Sequence, residues 1–128
     1  MPEAVVLDAS ALLALLNGED GAEAVAAVLP EAAVSAVNIS EVVAKLAEAG
    51  MPRKAIRDAL QGLPLDVVPF DQEQAYEAGL LRPSTRGIGL SLGDRACLSL
   101  ALRLALPALT ADRTWQQLAV GAKVRLIR

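Results

Sequence analysis

Apolar residues fall along this chain in short blocks that alternate between two periods. Residues 4–7, AVVL, are continuously apolar and partly β-branched, the pattern of a strand buried on both faces. Residues 9–16 then read as a helix, and GEDGAEAVAAVL as a turn and a second short helix ended by Pro30. AAVSAV predicts a second strand. From Asn38 to Ala49 the apolar residues Ile39, Val42, Val43 and Leu46 recur on one helical face, and Gly50 stops the run. Pro52 opens a further helix that closes at Gly62, with proline and glycine in their favoured places. LDVVPF predicts a third strand. Asp71 caps the next helix, and Gln74, three residues on, is placed to complete a capping box. RPSTRGIGLSLG reads as a loop from its Pro, Ser and Gly content. Asp94 to Ala105 is a strongly apolar helix, Pro107 separates it from the strand ALT, a short helix starts at Arg113, and KVRLI alternates enough to be an edge strand.

Strands alternating with helices predict an α/β fold with a small, mainly parallel sheet and helices on both faces. No linker, repeat or low-complexity tract divides the 128 residues, so residues 1–128 are expected to form one domain. In open parallel sheets ligands collect beyond the carboxyl ends of the strands. Asp8 directly follows the first strand and Asp112 follows the strand ALT by one residue, so both are expected on one rim.

Composition changes this picture mainly by exclusion. The chain has no histidine, which removes Ser-His-Asp and Cys-His nucleophilic catalysis, imidazole metal sites and histidine acid–base chemistry. Its single cysteine, Cys97, lies in the apolar run ACLSLAL and is expected to be a small buried hydrophobe. Neither G-x-G-x-x-G nor G-x-x-x-x-G-K-[ST] occurs, so no phosphate-cradling loop is expected. Carboxylates, hydroxyls, Arg and Lys remain, an inventory suited to hard cations such as Mg²⁺ or Mn²⁺. No apolar run is long and uncharged enough to span a bilayer, and Glu3 and Asp8 flank the first one, against a secretory leader. A cytoplasmic protein with no membrane contact is expected.

Four acids stand out: Asp8, Glu41, Asp94 and Asp112. Each has an ordinary structural account. Asp8, Asp94 and Asp112 precede or open helical stretches, where a carboxylate caps backbone N–H groups and complements the macrodipole. Glu41 follows Asn38 by three residues, like the second member of a capping box, and precedes Lys45 by four. Together they have a different meaning. Two carboxylates roughly 4 Å apart repel by about 4 kcal/mol at an effective dielectric near 20, so a converging set raises its pKa values or takes up a cation. A divalent ion would remove the repulsion, polarise a phosphoryl oxygen and lower the pKa of a bound water. Ser10 and Thr110 lie within two residues of Asp8 and Asp112, where their hydroxyls can orient a carboxylate or bond locally to the backbone. The net charge of −3 opposes a polyanionic partner, yet without these four acids 11 acids face 12 bases and the balance is +1.

VLDAS, NISEV, SLGDRACLSLAL and LTADRTW, in this order and spacing, resemble the PIN-domain ribonucleases, and most closely the VapC toxins of bacterial toxin–antitoxin pairs. The likeness spans nearly the whole chain, and LGDRACLSLA and LTADR are its most specific parts. It implies a three-layer α/β/α domain in which Asp8, Glu41, Asp94 and Asp112 correspond to the family's four acids and hold Mg²⁺ or Mn²⁺. It also implies metal-dependent endoribonuclease activity, with in-line attack by water on a phosphodiester and products bearing 5′-phosphate and 3′-hydroxyl ends. The implied partners are an RNA substrate and a small VapB-like antitoxin that blocks the site, within a homodimer or a higher toxin–antitoxin assembly.

Arg82, Arg86, Arg95 and Arg113 are candidates for phosphate contact, although Arg95 and Arg113 directly follow site acids and can instead balance their charge. Phe70, Tyr76 and Trp115 are too few for a base-stacking platform, and Trp115 is expected in the core or an interface. The apolar stretches ALLALL and AEAVAAVL suit either core or interface burial. Three alternatives compete with the RNA-cutting toxin. One is a nuclease acting on DNA, and another a catalytically silent interaction module that keeps the fold. The third is a phospho-accepting receiver domain, which calls for paired acids after the first strand and a lysine after the last; Asp8 is single and Lys123 precedes the last strand.

Overall fold

The computed structural model describes residues 3–128. Five strands, β1 (Val5–Leu7), β2 (Ala32–Ser35), β3 (Asp66–Val68), β4 (Ala108–Thr110) and β5 (Val124–Leu126), form one sheet in the order β3-β2-β1-β4-β5. Every pairing is parallel. The helices are α1 (Ala9–Asn17), α2 (Ala22–Val28), α3 (Ala36–Glu48), α4 (Arg53–Gln61), α5 (Gln72–Leu80), α6 (Arg82–Thr85) and α7 (Leu92–Leu104).

The central strands are apolar on both faces because helices cover both. Val5 and Leu7 of β1 point into one core with Leu12, Val25, Val42 and Ile56 of α1 to α4. Val6 points into the other with Leu98 and Leu100 of α7 and with Trp115. Trp115 is therefore core, as expected, and so is Cys97. Helix α5 packs outside α7, completing the three-layer α/β/α arrangement. The apolar residues of ALLALL are spent on this interior: Ala11, Leu12 and Ala14 are buried, and Leu13, Leu15 and Leu16 pack against the same core. The edge position of KVRLI is as its alternation indicates.

Several boundaries differ from the sequence reading, each for a local reason. Ala36 and Val37 belong to α3, not to β2, because the Ser35 hydroxyl accepts from Val37 N at 3.2 Å and starts the helix there. Helix α7 begins at Leu92, two residues before Asp94. Ser91 is its cap, and Asp94 closes a capping box by accepting from Ser91 N at 3.0 Å while Ser91 Oγ accepts from Asp94 N at 3.2 Å. The segment read as a loop contains the single turn α6 and a tighter 3₁₀ turn over residues 86–88. Pro30 lies within a 3₁₀ turn, and the short helix after Asp112 is also 3₁₀. Asp71 caps α5 through Gln74 N, but the capping box is not reciprocated: the Gln74 side chain is buried and accepts from Ser99 Oγ at 3.2 Å.

The strand order reverses between β1 and β4, the two strands that carry Asp8 and Asp112 at their carboxyl ends. In parallel α/β sheets a crevice opens at such a reversal. Helix α3 packs against α1 on one side and α7 on the other, which brings Glu41 and Asp94 to the same end.

Candidate active site

Asp8 sits at the centre of this end. It is only 3% exposed and is the N-cap of α1, with Oδ1 accepting from Ala11 N at 2.8 Å. Ser10 Oγ also donates to Oδ1, at 2.7 Å, and Thr110 Oγ1 donates to Oδ2 at 2.5 Å. The parallel register pairs Leu7 with Leu109, so Asp8 and Thr110 come next along the two strands. The two hydroxyls are themselves anchored: Ser10 Oγ accepts from Ala111 N at 2.9 Å and Thr110 Oγ1 from Asp112 N at 3.0 Å. Burial pushes the Asp8 carboxyl up from its ordinary value of 3.8 to about 6; these three hydrogen bonds oppose the rise, and the charge of Asp94 adds to it.

Glu41 is not at a helix opening. It lies in the second turn of α3, so Asn38 is not its capping partner but a buried residue of the first turn. Asn38 Nδ2 donates to Glu41 Oε1 at 2.8 Å and to the carbonyl of Gly93 at 3.0 Å. A Cβ at Gly93 would fall on the Glu41 carboxylate, so any side chain there would displace that carboxylate from its place. The pair expected between Glu41 and Lys45 does not occur among the ion pairs of the described residues. The sequence shows Asn38 only as a cap and Gly93 only as the end of a loop; an Asn three residues before an acid, inside an amphipathic helix, is the available signal for the first.

Asp94 and Asp112 are each engaged with their own turn. The Asp94 carboxylate takes Ser91 N, and Asp112 Oδ1 takes Thr114 N at 2.9 Å and Thr114 Oγ1 at 2.7 Å. Asp8, Asp94 and Glu41 nevertheless act on one point in the interior: after burial, their charges are what raise the Cys97 thiol well above its ordinary range. Asp112 joins the group through its backbone, by way of Thr110 and Asp8. Among the candidate arginines, Arg82, Arg86 and Arg113 are exposed. Arg95 is half-buried and turned away, with Nη1 on the carbonyl of Ala78 at 3.0 Å and Nε buried without a partner.

No group of three or more His, Cys, Asp or Glu side chains is drawn together tightly enough to hold one ion as the described side chains lie. The donor chemistry still fits a divalent cation. The acids offer hard oxygen ligands, Asp8 resists ionisation because it is buried and Asp94 adds to the effect, and none of the four is ion-paired among the described residues.

Comparison with known proteins agrees with this architecture. No curated protein matches the sequence. A toxin–antitoxin complex from Klebsiella pneumoniae has a chain of similar structure, 22% identical, with a TM-score of 0.77 over 98% of each chain. VapBC-5 of Mycobacterium tuberculosis is 25% identical, with a TM-score of 0.63 over 99% of each chain. VapC20 of the same organism, described as a sarcin–ricin loop cleaving toxin, is 16% identical, with a TM-score of 0.75 over 89% of this chain and 94% of that one. The model of the PIN domain matches residues 5–121, from the first strand to the loop before the last, and the chain belongs to the PIN domain family.

Proposed function

We propose that this chain is a VapC-like toxin, a metal-dependent endoribonuclease held in check by a VapB-like antitoxin, with residues 1–128 forming one catalytic domain. The observation that carries the proposal is the buried Asp8 carboxylate, with the charge of Asp94 acting on it, Asp112 two hydrogen bonds away and Glu41 seated against Gly93, the residue before Asp94. Asp8, Glu41, Asp94 and Asp112 would hold Mg²⁺ or Mn²⁺, which when bound supplies activation of water and charge stabilisation on the phosphodiester.

The chain's own residues divide the remaining work. Ser10 and Thr110 fix the Asp8 carboxylate by donating to both oxygens, so it needs no rearrangement when a cation arrives. Exposed Arg82, Arg86 and Arg113 supply phosphate contacts, while Arg95 serves the packing of α7 on α5. With only one buried and two other aromatics, recognition rests on the RNA backbone and shape. RNA is favoured over DNA as substrate by the activity described for the sarcin–ricin loop cleaving neighbour. The VapBC neighbours favour an antitoxin partner. Exposed Tyr76 and Leu80 on α5, with Leu102 and Leu104 on α7, give a second copy or the antitoxin an apolar surface to cover. Among the described residues no helix is long and apolar enough to cross a membrane, in keeping with action in the cytoplasm.

The test uses the purified chain with structured and single-stranded RNA, and with single-stranded DNA in parallel, in Mg²⁺, Mn²⁺ or excess chelator. Cleavage of RNA that needs the cation and is abolished in Asp8→Asn is expected. Cutting that survives the chelator would sink the metal-dependent assignment. DNA cut in preference would move the substrate class, and no cutting of either polymer under any cation would leave a silent interaction module.

A further inference from the structure

We propose that Asn38 is a positioning residue that presets the Glu41 carboxylate, working against Gly93 as a floor. This rests on the nuclease function proposed above and adds a residue outside the four acids. Asn38 is 1% exposed, and its Nδ2 donates to Glu41 Oε1 and to the Gly93 carbonyl. Both partners are acceptors only, so the amide cannot be turned over without setting oxygen against oxygen. The consequence is that Asn38 Oδ1 is left buried with no partner.

That unmet acceptor argues against a purely architectural role. An unpaired buried oxygen weakens the fold, and an apolar side chain of the same shape would avoid it. What asparagine supplies here, and leucine would not, is a pair of N–H groups, one tying α3 to the Gly93 carbonyl of α7 and the other aimed at Glu41. Gly93 completes the arrangement, since the carboxyl carbon and both oxygens of Glu41 occupy the space its Cβ would take. Glu41 is thus held from one side by a donor and from below by bare backbone. A free glutamate must lose its side-chain rotational freedom when it binds a cation; Glu41 has lost it on folding. Outer residues that orient a ligand in this way commonly account for tenfold or more in metal affinity.

The experiment measures Mn²⁺ binding to the full chain by calorimetry without RNA, and kcat and KM on an RNA substrate. Asn38→Leu is expected to weaken Mn²⁺ about tenfold and lower kcat by a similar factor, with KM within about twofold of wild type. Asn38→Ser, which keeps one hydroxyl donor in a smaller side chain, should fall between the two. In a Glu41→Ala background, Asn38→Leu should change Mn²⁺ affinity by less than about twofold, because the group it positions is gone. Thermal unfolding in chelator should show Asn38→Leu still cooperatively folded, with the modest loss expected when Glu41 and the Gly93 carbonyl each lose a donor. Unaltered Mn²⁺ affinity in Asn38→Leu and Asn38→Ser would overturn the proposal, as would the same tenfold loss in the Glu41→Ala background. Wild type that takes up no Mn²⁺ would overturn the proposed function as well, so the two failures are distinguishable.

Discussion

Burial of Asp8 should make the metal-free protein less stable than its own Asp8→Asn variant. The folded protein binds the Asp8 proton with a pKa of about 6, against 3.8 ordinarily. Between those values the folded state holds more protons than the unfolded chain, so stability falls as pH rises through this window and stays lowered above it. A gap of about two pH units corresponds to about 3 kcal/mol at pH 7, and the penalty is absent below pH 3.8. Asparagine keeps the shape and carries no charge, and the hydroxyls of Ser10 and Thr110 can rotate to accept from its amide. Urea unfolding of both proteins in excess chelator, from pH 4 to pH 8, reads the effect. The variant should be about 2–3 kcal/mol more stable at pH 7 and nearly equal to wild type at pH 4. Carboxylates common to both proteins, such as Glu19 and Asp71, which their hydrogen bonds hold below the ordinary range, cancel in the difference. Added Mn²⁺ should reverse the ranking, since binding stabilises only the protein that keeps the ligand. A variant no more stable at pH 7, or a gain of equal size at every pH, would show that Asp8 is not a strained carboxylate.

The same reasoning sets three further outcomes. Thr110→Val removes a hydrogen bond that favours the ionised Asp8; losing about 1.5 kcal/mol there raises its pKa by about one unit, so the acid limb of the kcat–pH profile should move up by that much. An unmoved limb would count against Thr110 as the partner. Leu98→Ala empties a fully buried position between α7 and the sheet and should cost about 2–5 kcal/mol in urea unfolding without changing the pH profile. Ala105 ends α7 at φ 55, in the left-handed region, so Ala105→Gly should raise the free energy of urea unfolding modestly, by up to about 1 kcal/mol; destabilisation would contradict it.

The fold was legible where the periodicity was strong. AVVL, ALT and the apolar faces of α1, α3 and α7 carry enough side-chain pattern to set element type, and the alternation of types sets a parallel sheet. Boundaries slipped where a serine did the capping. Ser35 and Ser91 each start a helix earlier than the apolar pattern indicates, because a hydroxyl caps N–H groups whatever the neighbouring side chains are. Asp71 and Gln74 had the spacing of a capping box, but the tertiary fold buries Gln74 against Ser99, a contact 25 residues away that no local rule contains. The turn α6 was hidden by proline and glycine, which mark irregular chain and cannot distinguish a loop from a single helical turn.

The candidate site raises a subtler matter, because its structural and chemical accounts are not rivals. Asp8, Asp94 and Asp112 do cap or open helical turns, as local chemistry alone would have them do. A first-turn carboxylate after a parallel strand faces the crevice at the carboxyl ends of the sheet, so satisfying backbone N–H groups and presenting an acid to that crevice use the same position. No argument from one acid can therefore decide between the two roles. Glu41 is the residue that separates them. It lies a turn too far into α3 to cap anything, it forms no ion pair with Lys45, and its carboxylate is held instead by Asn38 against a glycine in another helix. Helix stability offers no reason for that arrangement. A partly buried acid fixed in place at the end of the sheet that also carries Asp94 and the buried Asp8 adds negative charge there, and a cation brought to that end would turn the same arrangement into a favourable one.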